Sequence, residues 1–375
     1  MNSPHKKDKR DINEVYKQFQ EDGIFEKVVR ILGYGAFGEV REIKYKNKTM
    51  AGKLIKREKC DICEEEKYAD DLRGQNIIKI NQVYSKKIGR DYYDLIVMEK
   101  AVLRDLGKLN EFYCKHNLLK LIYQPFDEMS GDFLLRFYTR QIINALEILD
   151  RNYFIHNDIK PANILITINL QLKLSDFSLL KKVKNEFTEI PGGTKGFLSP
   201  EYYKNPNVTA DEARKQDYFA LGSTLFYLKF GKQMLKFKKS ENKQSNAYKV
   251  IDLLSNAIAD IQSDKVVDED FIDFITSLIA YKPKDRPSFE QIYRNKWLNK
   301  DVEKIDNILS IFENDEEKII MELQKNDFIN KKEKELGIDS NGDYLNVQKN
   351  IEKEEYKYEK PCRFKFKKKT LANFL

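Results

Sequence analysis

A chain of 375 residues has room for one large domain or two lobes with extensions, and 41% hydrophobic content with 12% aromatic residues can build a sizeable core. The net charge is +7, from 67 Lys+Arg against 60 Asp+Glu, too mild an excess for a dedicated nucleic-acid binder, so specific nucleic-acid binding is not expected. No window reaches the roughly 18 consecutive apolar residues of a membrane span, and the charged start "MNSPHKKDKRDINEVYKQ" lacks the apolar stretch of a signal peptide.

Four cysteines (Cys60, Cys63, Cys114, Cys362) in a chain this long point to a reducing compartment, the cytoplasm or the nucleus. Cys60 and Cys63 form a C-x-x-C, but no second pair follows at zinc spacing and the chain has 3 histidines, so metal chemistry on Cys/His ligands is excluded.

Residues 1–23 read as a charged extension with one short helical piece around Ile12–Phe19. From Ile24 the texture changes to alternating runs, "IFEKVVRIL", "EVREIKY", a turn at "KNK", then "TMAGKLIK", which predict successive antiparallel strands. "EKCDICEEEKYADDL" places Ile62, Ala69 and Leu72 on one helix face, and "NIIKINQVYS" and "DYYDLIVMEKA" predict two more strands. Beyond about residue 103 the pattern is helical. The connection from Leu103 to Asp132 is long enough to be an insertion or a docking surface, and its Cys114 and His116 read as local packing residues. "DFLLRFYTRQIINALEILDRN", "QDYFALGSTLFYLKFG" and "DEDFIDFITSLIAY" predict helices, with "RPSFEQIYRNKWL" closing the series. A strand-rich lobe followed by a helix-rich one is an α+β arrangement. After Lys300 the chain is charged and helical in pattern, ending in the basic, Phe-bearing "KYEKPCRFKFKKKTLANFL".

Two stretches concentrate chemistry. "GYGAFGEV" brings Gly33, Gly35 and Gly38 to a strand–strand turn, where a backbone without side chains can lie over a polyphosphate and donate N–H groups. Lys53, on the third strand, can reach phosphate oxygens, although one lysine on a strand is more often a solvated side chain. It needs an acid to hold it, and Glu65, flanked by Glu64 and Glu66, is the candidate. "IHNDIKPANILI" packs His156, Asp158, Lys160 and Asn163 around Pro161, either a busy turn or a site. Asp176, in "LKLSDFSLL", offers a second carboxylate; with Asn163 it could supply the oxygen ligands a hard cation prefers.

In order, "GYGAFGEV", "MAGK", "HNDIKPAN", "SDFS", "SPE", "DYFALG" and "KDRPSF" make residues 24–299 resemble a eukaryotic protein kinase of the serine/threonine type. The resemblance implies a bilobal α+β fold, with a β-rich lobe over about 24–99, a mainly helical lobe over about 100–300, and a tail from 301 to 375. It implies transfer of the γ-phosphate of ATP to protein Ser/Thr hydroxyls with Mg2+, Mn2+ being the second choice. By position, Gly33, Gly35 and Gly38 cover the phosphates, and Lys53 binds them and pairs with Glu65. Asp158 accepts the hydroxyl proton, Lys160 steadies the γ-phosphate, and Asn163 and Asp176 hold metal. Adenine meets Val40, Ala51 and Leu165, with its edge on the Glu99–Ala101 backbone and Met98 as gatekeeper. Glu201 and Arg286 form a buried pair, and Asp217 braces the catalytic loop from a helix start. Lys160 and Thr194, the latter in "GGTKGFLSPE", are similar to the serine/threonine class.

Two positions depart from the family. Asn157 stands in place of an Arg that meets a loop phosphate, so activity is expected without activation-loop phosphorylation, with Thr188 dispensable. Ser178 replaces a Gly, so a flip of Asp176 is expected to be restricted. Alternatives are a pseudokinase scaffold, a dual-specificity kinase and a small-molecule kinase of the same fold. A monomer acting on protein substrates is expected. The basic tail suits an anionic membrane, nucleic acid, the kinase itself, or no fixed partner.

Overall fold

Alternating residues from Lys27 onward do fold as strands. The computed structural model describes residues 5–35, 38–57, 67–101, 105–107, 131–167, 171–183, 187–205, 207–237, 243–263, 268–303 and 305. They fall into two compact units, within Met1–Val102 and within Leu103–Glu322.

In the first unit, β1 (Lys27–Gly35), β2 (Gly38–Tyr45), β3 (Lys48–Arg57), β4 (Ile80–Ile88) and β5 (Asp91–Met98) form one sheet in the order β1-β2-β3-β5-β4. Neighbouring strands are antiparallel throughout. The "KNK" turn is a two-residue loop in which Lys46 and Asn47 both have positive φ, the twist that right-handed strands need from a tight hairpin.

The N-terminal helical piece is longer than the Ile12–Phe19 expected: α1 spans His5–Glu21. Its Val15, Tyr16 and Phe19 are buried against Ile43, Met50, Leu54, Leu95 and Val97. Pairing register puts those sheet residues on one face and Lys53 on the other, because Lys53 alternates with Leu54 and sits opposite Val40 and Ile96. The helix expected around "EKCDICEEEKYADDL" falls mostly outside the described residues; the part inside, 67–72, is mainly a turn.

The second unit carries α2 (Gly131–Arg151), β6 (Phe154–Ile155), β7 (Ile164–Ile166), β8 (Leu172–Leu174), β9 (Lys181–Lys182) and β10 (Phe187–Glu189). There follow α3 (Pro200–Lys204), β11 (Asn207–Thr209), α4 (Ala210–Phe230), α5 (Lys243–Ser263), α6 (Glu269–Leu278) and α7 (Phe289–Tyr293). Thr209 and Glu212 close a capping box at the start of α4, and Gly231 ends it at φ 66. This helix is buried from Gln216 to Leu228 and forms the spine of the unit. "RPSFEQIYRNKWL" yields only the short α7, because the Asn295 side chain accepts from the Trp297 N–H at 2.9 Å and turns the chain out of the helix. Trp297 then packs against Phe271 and Phe274.

Candidate active site

Each unit contributes its own group of the residues singled out by sequence. In the first, Val40 pairs with Lys53 and Ala51 with Met98, so these four share the face that α1 leaves uncovered. Lys53 is buried, contrary to the solvated side chain that a lone strand lysine suggests. The glycines have separable reasons. Gly33, across from Val40, has open space where a Cβ would stand. A Cβ on Gly38 would lie 1.8 Å from the Leu54 carbonyl oxygen, so that glycine is demanded by strand approach. Gly35 pairs with Gly38 at the end of the hairpin. The Glu99 N–H donates to the Lys79 carbonyl at 2.9 Å, and Ala101 is half-buried. Glu65, with Glu64 and Glu66, lies outside the described residues, as do Cys60, Cys63, most of the Leu103–Asp132 connection and the tail beyond Ile305.

In the second unit the loop between β6 and β7 is built around Asp158. Thr194 N–H donates to its Oδ1 at 2.9 Å, and Lys160 Nζ to its Oδ2 at 2.6 Å. Lys160 also donates to the Thr194 hydroxyl at 2.6 Å. Asn163 Nδ2 donates to the Asp158 carbonyl at 2.8 Å and to Oδ2 at 2.9 Å. Burial works to raise the Asp158 carboxyl, but the Lys160 charge, together with hydrogen bonds from Lys160 and Thr194, prevails and holds it below the usual carboxylate range. The group is therefore an ionised acceptor at neutral pH. Leu165, on β7, is half-buried and bridges to Asp105.

Asn163 and Asp176 are linked through Ser175, whose N–H and hydroxyl both donate to the Asn163 carbonyl at 2.9 Å. With its amide hydrogens directed to Asp158, Asn163 has oxygen to offer, as does Asp176; this donor set fits a hard divalent cation. Among the described residues no group of three or more His, Cys, Asp or Glu side chains is placed to hold a metal ion.

Asp217 does brace the loop, accepting from the His156 N–H at 2.7 Å and the Asn157 N–H at 2.9 Å. It does so from well inside α4 and not from a helix start, since the cap that begins the helix, Thr209, lies eight residues earlier. Burial pushes its carboxyl up to about 7, against the pull of the two backbone donors. Glu201 and Arg286 meet in a two-pronged pair at 2.6 and 2.7 Å, with the guanidinium 4.9 Å from the Phe219 ring centroid.

His156 had no role from sequence alone. Its Nε2 donates to the Ser175 carbonyl at 3.1 Å and its Nδ1 accepts from the Asp158 N–H at 3.2 Å, while its ring packs edge-on to Phe177. Burial holds the imidazole below its ordinary value, consistent with the neutral form these contacts require. Gly193 was also missed: a Cβ there would lie 2.4 Å from the Asn157 carbonyl oxygen. The signal was present in "GGT", two glycines beside a loop threonine.

The Protein kinase domain family model matches residues 26–298. The chain is 29% identical over 285 residues to Serine/threonine-protein kinase cds1 of Schizosaccharomyces pombe, covering 72% of this chain and 57% of that protein. It is 29% identical over 275 residues to an Aurora kinase of Saccharomyces cerevisiae, covering 71% and 67%. It is 23% identical over 281 residues to Dual specificity protein kinase Ttk of Danio rerio, covering 72% of this chain and 27% of that one. The chain thus spans a little over half of the first relative and about a quarter of the third.

Proposed function

The chain belongs to the protein kinase family, and on that premise we propose that it transfers the γ-phosphate of ATP to Ser and Thr hydroxyls of proteins. The observation that carries the reading is the ionised Asp158 carboxylate, fixed by Lys160, Thr194 and Asn163. Asp158 orients the hydroxyl and takes its proton as the new O–P bond forms and the bond to ADP breaks. Lys160 offsets charge on the transferring group, and Lys53 and the Gly33–Gly38 turn hold the phosphates. Asn163 and Asp176 would hold magnesium, which would offset phosphate charge. Val40, Ala51, Met98, Glu99, Ala101 and Leu165 receive adenine, and Glu65 pairs with Lys53.

The activation segment is proposed to need no phosphate. Three observations support this. The segment's β10 pairs with β11, Thr188 opposite Val208. Its Val183 and Ile190 pack with Ile155, Val208 and Ala213. Asn157 Nδ2 donates to the Leu179 carbonyl at 2.9 Å, a tie made by a neutral amide where a cation would otherwise await phosphate. The kinase domain is taken as 24–300, acting as a cytoplasmic monomer, with the basic tail contacting anionic membrane or the domain itself.

Radiolabel transfer from magnesium–ATP to a generic protein substrate tests the reading. Wild-type signal is expected on Ser and Thr, with Asp158→Asn at background. Equal signal from the two would favour a nucleotide-binding scaffold. Thr188→Ala is expected to retain wild-type transfer; a loss beyond about tenfold would return control to loop phosphorylation.

A further inference from the structure

Both departures from the family pattern point at the same short turn. Residues Phe177–Leu179 form a single 3-10 turn entered through Asp176, whose φ of 65 and ψ of 71 place it in the left-handed region. That turn is the mount for a carboxylate, so anything that fixes it fixes where the carboxylate points. Ser178 Oγ donates to Asp176 Oδ1 at 2.7 Å. From the other side, Asn157 Nδ2 reaches the Leu179 carbonyl. Asn157 itself has φ 67, a conformation asparagine tolerates better than most side chains, and it is 1% exposed.

Ser178 is not among the residues with positive φ. Glycine's freedom is therefore not required at 178 in this conformation, and the serine contributes a hydroxyl where the family residue has nothing to contribute. The strained position in the turn is Asp176, and the Ser178 hydroxyl bonds directly to its side chain. A carboxylate bound for a cation loses side-chain freedom on binding. One already held by a hydrogen bond to one of its oxygens has less to lose, which is how partners behind metal ligands raise affinity.

We propose that Ser178 is a positioning residue for the metal ligand Asp176, with Asn157 anchoring the same turn, so that both side chains help to hold the carboxylate where a cation would bind. The inference rests on the kinase reading and adds how its metal ligand is held.

The test compares full-length wild type with Ser178→Ala and Ser178→Thr. Two quantities are measured: the affinity for a fluorescent non-hydrolysable ATP analogue in magnesium chloride and in EDTA, and amide exchange at Leu180, whose N–H donates to the Phe177 carbonyl at 3.0 Å and closes the turn. Ser178→Ala is expected to weaken the magnesium-dependent affinity about tenfold, the size of one hydrogen bond to a charged group. Affinity in EDTA should be unchanged, Leu180 exchange should be faster, and Ser178→Thr should restore both. A merely structural role would lower the two affinities together. Wild-type magnesium dependence and Leu180 exchange in Ser178→Ala would overturn the proposal. Wild-type protein that binds no magnesium–nucleotide would overturn the kinase reading and the metal role together. Leu180 exchange would in that case still decide whether the Ser178 hydroxyl holds the turn.

Discussion

His156 and Asn157 use adjacent side chains to hold the two ends of one short segment, at the carbonyls of Ser175 and Leu179. Removing the Asn157 amide leaves the Leu179 oxygen without that donor, a loss of about 1–3 kcal/mol if the oxygen stays dry. Asn157→Ala is accordingly expected to lower the urea midpoint at unchanged slope. His156 adds a pH dependence of definite sign. Its folded-state pKa lies below the ordinary 6.5, so in the window beneath 6.5 the unfolded chain binds more protons than the folded one. Its contribution is complete above that value and is lost as pH falls. Asp158, also lowered, acts in the same direction but only below its ordinary 3.8. Asp217, whose carboxyl is lifted to about 7, binds extra protons in the folded state over the same window and acts in the opposite sense. The expected outcome is therefore a difference: between about pH 6.5 and pH 5 the melting temperature of wild type should fall relative to that of His156→Gln. A difference between wild type and His156→Gln that stays constant through the window would contradict the assignment.

At the scale of elements, α1 is the addition that composition concealed. Its charged sequence reads as an extension because the buried set, Val15, Tyr16 and Phe19, is small and interrupted by Lys17 and Gln18. Only the sheet face it covers explains them. The Tyr16 hydroxyl donates to the Gly52 carbonyl at 2.7 Å, with the Glu39 carbonyl at 3.1 Å, and its ring lies under the Arg41 guanidinium. Burial pushes the phenol far above its ordinary range, so it stays a donor. Tyr16→Phe should cost about 1 kcal/mol and Phe19→Ala about 3–5 kcal/mol, both read by denaturant unfolding. The strands, by contrast, were legible from alternation and turn residues alone. So was the local part of the Asp158 group, because Lys160 and Asn163 follow Asp158 within one short stretch, whereas Thr194 joins it from much further along the chain. What escaped was Gly193, whose close neighbour Asn157 lies far back along the chain, and the position of Asp217 within α4, which the cap at Thr209 sets.

Across the whole molecule, Arg286 joins segments 85 residues apart by its pair with Glu201. It also donates to the carbonyls of Ala280 and Lys215. Truncating it would leave a buried carboxylate unpaired, so Arg286→Ala should destabilise the second unit by about 3–5 kcal/mol. Calorimetry should then show that unit's transition moved down. No helix among the described residues is long and apolar enough to cross a membrane.

The turn at residues 175–179 also bears on inhibitor chemistry. Phe177 is 1% exposed and sits edge-on to His156, inside a mesh of bonds from Ser178, Asn157 and His156. A small molecule that takes the phenyl ring's seat must first break several of these, at about 1 kcal/mol net for each neutral one. Compounds that leave Phe177 in place face no such toll, and a screen against this chain should return them preferentially.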